Sequence, residues 1–173
     1  MISRFSRLLG LAAAFAFAAI ALPAAASAAD PTGYWKTIDD DGKTPRSVVH
    51  ITKDEKGKLV GKIVKLFRKP TEKPMPMCDD CDEGYKGAKI KGKQALDLVI
   101  MWDVEHDEGN EWENGEILDP ANGETYSVDL EVQNGGKKLK VRGYLGVSLL
   151  GRTQYWHRTE QPTDTLEILP ADK

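Results

Sequence analysis

From Pro31 onward, apolar and polar residues alternate in short runs divided by turn residues, and no stretch carries a sustained 3.6-residue apolar stripe. The pattern predicts an all-β chain. Tyr126, Val128, Leu130 and Val132 interleave with Thr125, Ser127, Asp129 and Glu131, and Leu139, Val141, Gly143 and Leu145 interleave with Lys138, Lys140, Arg142 and Tyr144. The intervening Asn134-Gly135-Gly136 supplies the positive φ angles of a tight hairpin, and opposite signs on the polar faces bring Asp129 or Glu131 near Lys138 or Lys140. A second hairpin pairs 47–53 with 58–67, where Gly61 marks a bend or bulge. Residues 96–104 read as a nearly continuous apolar strand, 112–118 as another, and 33–37 and 151–158 as the outermost two. About eight short, locally connected strands leave two exposed edges in an open sheet, and closure into an antiparallel up-and-down barrel removes them. Such a barrel is filled by side chains or holds one small ligand. The long segment 68–94, with Pro70, Pro74, Pro76 and two cysteines, interrupts the alternation as a functional or locally braced loop.

Composition adds an N-terminal leader. Arg4 and Arg7 precede an Ala/Leu/Phe run, and Ala26-Ser27-Ala28 offers a small-residue cleavage site. The chain thus divides into a signal peptide (1–28), a barrel domain (29–158) and a C-terminal tail (159–173), with cleavage near Ala28. The expected location is the periplasm or beyond it. The full chain of 173 residues has a net charge of −3; losing the leader removes two arginines and no acid, leaving 145 residues at −5. That balance argues against nucleic acid, and no later segment is long and apolar enough for stable membrane insertion.

Gly33-Tyr34-Trp35, Cys78-Asp79-Asp80-Cys81 with Lys86-Gly87, Gly115-Glu116-Ile117-Leu118-Asp119-Pro120, Gly123-Glu124-Thr125-Tyr126, and the run from Val141-Arg142-Gly143-Tyr144 through Gln154-Tyr155-Trp156 together resemble a bacterial family of exported domains of unknown function. The resemblance covers residues 33–158 and implies a lipocalin-like β-barrel, but no reaction. Within the wider lipocalin-like group, Gly33, Trp35 and Arg158 match a Gly-x-Trp on the first strand and a basic residue on the last packed across it. This implies a structural barrel closure, worth on the order of 0.5–2 kcal/mol as a cation–π contact.

The residues themselves display no catalytic constellation. Cys78 and Cys81, the only cysteines, are expected to form a disulfide in an exported chain, with metal binding or thiol redox as alternatives. The acidic run from Asp103 to Glu113 fails the EF-hand register, so no metal is expected. Gly146-Val147-Ser148-Leu149-Leu150 starts like a nucleophile elbow, but Leu150 stands where the second glycine belongs. No cofactor is implied. Past the leader the chain has four Trp and five Tyr against one Phe, and aromatic rings with polar tips suit a cavity mouth. The expected function is therefore noncovalent binding of a small, partly apolar molecule, lined by Trp102, Tyr126, Tyr144 and Trp156, with the Cys-containing loop as a lid. The competing reading is a filled, ligand-free barrel that acts through its surface as an envelope interaction or stress-response module, which leaves room for a protein partner.

Overall fold

The computed structural model describes residues 29–171. The leader at 1–28 lies outside them. Strands β1 (Gly33–Ile38), β2 (Pro45–Lys53) and β3 (Leu59–Arg68) form an antiparallel meander. Within the loop that follows, β4 (Glu83–Gly84) and β5 (Ala88–Lys89) make a two-stranded ribbon. The meander resumes with β6 (Val99–His106), β7 (Glu111–Leu118), β8 (Thr125–Gln133), β9 (Lys138–Tyr144) and β10 (Arg152–Thr159). Pairing of β3 with β6 and of β10 with β1 closes eight strands into a lipocalin-like antiparallel barrel. A short β11 (Leu166–Ile168) then adds in parallel to β3, so the tail continues the sheet outside the closed ring.

Alternation works as expected through β8 and β9: Val128, Leu130, Val132, Leu139 and Val141 are buried, while Glu131 stands opposite Lys140 and accepts a 2.8 Å hydrogen bond from it. The hairpin turn places Asn134, Gly135 and Gly136 at positive φ, which only such residues adopt cheaply. On β6 and β7 the alternation is broken. Asp103 and Asn114 both take positive φ, and the β7–β8 register shifts between Trp112 and Gly115. Gly115 is turned inward at this bulge, where a Cβ would run into the Val104 side chain. Strand β6 begins at Val99 instead of residue 96, because Leu98 donates back to the Ala95 carbonyl in a turn and Asp97 has positive φ.

The barrel interior is a core. Trp35, Ile51, Leu59, Met101, Leu139 and Trp156 are buried, each contributing on the order of 1.5–3 kcal/mol. Gly61 stands opposite Met101 on the neighbouring β6, and a Cβ there would press on both the Met101 and the Val49 side chains. At one end the segment 29–32 closes the floor. The Arg158 guanidinium lies 4.2 Å from the Trp35 ring and donates to the carbonyls of Thr32, Asp30 and Gly136, while the Trp35 indole donates to Pro31 at 2.7 Å.

The tail is pinned by Lys65, which donates to both Asp164 and Glu167 at 2.7 Å and lies over the Phe67 ring.

Two outcomes follow from these contacts. Arg158→Leu keeps aliphatic cover over Trp35 but removes the guanidinium donors, so the urea unfolding midpoint should fall by the equivalent of about 1–3 kcal/mol. The Asp164 carboxyl is held below its ordinary range by the hydrogen bond from Lys65. A depressed carboxylate stabilises fully above its unfolded value, near pH 4, and the effect fades as pH falls through the lower folded value. Tail protection in hydrogen exchange should therefore drop in that acidic window, and Asp164→Asn should remove most of the pH dependence.

Candidate functional site

The floor end carries short turns (54–58, 107–110, 134–137) and is sealed by the N-terminal segment, whose Ala29 amide donates to Asn110. The opposite end carries the β1–β2 turn, the long loop 69–98, the β7–β8 turn and the β9–β10 loop. Chemistry that involves loops is therefore concentrated at this second end.

The four aromatic candidates do not converge there. Trp156 faces inward, but near the floor: it stands opposite Leu139, which stands opposite Val132, and its indole donates to Gln154 at 3.1 Å. Tyr126 also lies on the inward face, six residues up β8. Its hydroxyl donates to Glu124 at 2.6 Å and accepts from Asn122, and the Glu124 bond raises its pKa. Trp102 faces outward. It pairs with Glu116, to which its indole donates at 2.6 Å, and the Tyr85 ring packs over it. Tyr144 is outward too, its hydroxyl donating to Asp129 at 3.1 Å; burial and that carboxylate raise its pKa. The physical reason is the two-residue period: Trp102 follows inward Met101, and Tyr144 follows inward Gly143.

The Cys-containing part of the long loop, where a lid is expected, braces the barrel wall: Tyr85 packs on outward Trp102, and Asp80 lies against Gly123 of the β7–β8 turn. Cys78 and Cys81 form a disulfide and are both fully buried, within the same apolar cluster as Ile90, Leu118 and Trp102. The Tyr85 hydroxyl comes within 3.5 Å of Asp54, in a floor-end turn, so the loop runs down the barrel's side. Among the described residues no group of three or more His, Cys, Asp or Glu is arranged to hold a metal ion.

In the sequence the β9–β10 loop stands out only within the family-like run 141–156 and as a failed nucleophile elbow. Leu145, Val147, Leu149 and Leu150 are exposed there, Leu149 by 87% and Leu150 by 81%. Arg142, outward on β9, holds this loop from beneath. Its guanidinium donates to the carbonyls of Ser148 and Leu149, to the Ser148 hydroxyl and to Thr153, while the Ser148 hydroxyl donates to Asp129 at 3.3 Å. Amide bonds from Val147 to Leu145, Leu150 to Val147 and Gly151 to Ser148 complete it. A Leu-Leu pair beside Gly151 between two strands is the signal that could have found it.

Two grooves lie on the outer wall, and the first reaches the loop at Ser148. One, of about 200 Å³, is lined by Glu111, Glu113, Asp129, Glu131, Lys140 and Arg142 on the outer faces of β7, β8 and β9. Lys140 holds the Glu131 carboxyl below its ordinary range. The other, of about 280 Å³, runs along β10 past Tyr155 and His157 to the β1–β2 turn, where Asp40 pairs with Arg152. Lys138 lies 3.8 Å over the Tyr155 ring beside it.

A bacterial family model, described as an uncharacterized protein conserved in bacteria (DUF2147), matches residues 33–158. Among solved structures, the chain is similar to a protein of Helicobacter pylori described as belonging to the lipocalin family, with a TM-score of 0.61 and 17% identity over 76% of this chain and 84% of that one. At that identity the likeness is one of fold. No curated protein matches the chain.

Because both half-cystines are buried, iodoacetamide should label neither in the native protein, and labelling should require reductant together with denaturant. Mass spectrometry of the alkylated chain checks this. Leu149→Ser with Leu150→Ser should leave the urea midpoint within about 0.5 kcal/mol of the parent, since neither side chain packs inside.

Proposed function

We propose, from the premise that the chain belongs to the DUF2147 family of bacterial proteins, that it is an exported, lipocalin-like protein of the cell envelope that acts through the surface of its loop-bearing end. The observation that carries this reading is a contrast in burial. The bulky residues that a carrier would set aside for cargo space, Trp35, Met101 and Trp156, are buried within the barrel, whereas four aliphatic side chains of one loop face solvent. Soluble proteins rarely leave such contiguous apolar surface open without a use.

Export is supported by the leader-like residues 1–28 and by the Cys78–Cys81 disulfide, a bond that persists in oxidising compartments. Among the described residues no helix is long and apolar enough to cross a membrane.

A carrier of a small, partly apolar molecule is the second reading. It is favoured by the barrel architecture, which can hold one small ligand, and by Tyr126 on the inward face toward the loop-bearing end.

Native mass spectrometry of the mature protein isolated from periplasm separates the two. The surface reading expects the bare chain, two hydrogens lighter than the reduced sequence. A reproducible adduct of a few hundred daltons, lost on denaturation, would overturn it in favour of the carrier.

A further inference from the structure

We infer that the β9–β10 loop is a preformed apolar plug for a protein partner whose receiving cleft has an apolar floor and a basic wall on the side that meets β7 and β8. This rests on the surface reading above and names the partner's chemistry.

The first ground is the loop's backbone. A segment that enters an apolar cleft leaves water behind, and each unpaired carbonyl or amide then costs free energy. Here the carbonyls of Leu145, Val147, Ser148 and Leu149 already accept hydrogen bonds, two of them from Arg142, and the amides of Val147, Leu150 and Gly151 already donate. The polar backbone is turned onto the guanidinium while Leu149 and Leu150 point away into solvent. The loop is held by side-chain and backbone bonds before any partner arrives, which lowers the ordering cost of association.

The second ground is charge. Glu111, Glu113, Asp129 and Glu131 line the groove beside the loop against only Lys140 and Arg142, and Arg142 is committed to the loop itself. Glu111 and Glu131 even stand directly opposite each other across β7 and β8, a like-charge pair that costs stability. An acidic wall next to an apolar tip is complementary to a basic wall next to an apolar cleft. The same acids oppose a second copy of this chain, which would bring like charge to like charge, and oppose an anionic lipid surface.

The probe for a test is a synthetic amphipathic peptide of Leu and Lys, titrated into the mature protein by calorimetry. A matched Leu/Glu peptide and phosphatidylcholine vesicles with and without phosphatidylglycerol serve as comparisons. The Leu/Lys peptide should bind and the Leu/Glu peptide should not. Leu149→Ser with Leu150→Ser should weaken binding about tenfold or more, with an unchanged near-ultraviolet circular dichroism spectrum. Glu111→Gln with Glu113→Gln should weaken it about threefold and flatten its salt dependence. The assignment is overturned if the peptide fails to bind or binds regardless of the two leucines, or if the leucines govern binding to vesicles and not to the peptide. Those failures would leave the surface reading standing, whereas a cargo adduct in native mass spectrometry would remove it whatever the peptide does.

Discussion

One guanidinium holds the barrel shut. Arg158, on the last barrel strand, covers the ring of Trp35 on the first and donates to the carbonyls of Asp30, Thr32 and Gly136. It therefore joins the N-terminal segment, the β8–β9 turn and β10 at a single point. The seam between β1 and β10 is the longest-range pairing in the barrel, and the chain-entropy cost of closing it grows only with the logarithm of the intervening length. Desolvation pulls the Arg158 pKa down, but the group stays charged, and its charge is stabilised by three carbonyl dipoles and an indole face. With the seam closed, the eight-stranded ring has no unpaired edge strand, and the short β11 pairs with β3 outside it.

Closure at that end fixes what the interior can do. The Trp35 indole is turned to the Pro31 carbonyl and the Trp156 indole to Gln154, so both large rings are satisfied by the protein's own groups and fill the lower barrel. Higher up, Thr37 and Ser47 face each other with hydroxyls paired and little exposed. Polar groups that a bound molecule could have engaged are already spent on one another, and displacing such bonds would return little net free energy. The diversity of the molecule is thus pushed outward, onto loops whose rigid support is the packed barrel.

Much of the fold was legible because β8 and β9 alternate without interruption, and the two-residue period there dictates which side chains pack and which meet water. The family resemblance of residues 33–158 pointed to the same barrel, and the Trp35–Arg158 contact it implied is present. Legibility failed where the backbone departs from the period. On β6 a run of apolar residues hides the phase altogether: Met101 and Trp102 are both buried, one inside the barrel and one outside it under the Cys-containing loop. Apolar character alone could not separate those two faces, because a covered outer wall reads like a core. Tyr144 is a different case. Alternation sets it with Lys140 and Arg142 on the polar face, and only its aromatic type suggested the lining. The β11 pairing was invisible, since three residues carry no period; what holds them is Lys65, reached across a long stretch of sequence by Asp164 and Glu167.

The site followed the same logic in reverse. A search for catalytic residues looks for reactive side chains, and in Gly146 to Leu150 it finds a serine in the wrong setting. The chemistry of that loop lies in what is unreactive. Arg142 appears in the sequence as one more polar residue on an outward face, where a solvated arginine costs nothing and means little. Only in three dimensions does it become the donor that satisfies a loop's carbonyls and frees its leucines to face out. An arginine bonded to the protein's own backbone and leucines left to solvent invert the usual arrangement of a soluble surface. Four separate acceptors for Arg142, the carbonyls of Ser148 and Leu149 and the hydroxyls of Ser148 and Thr153, hold that arrangement in place.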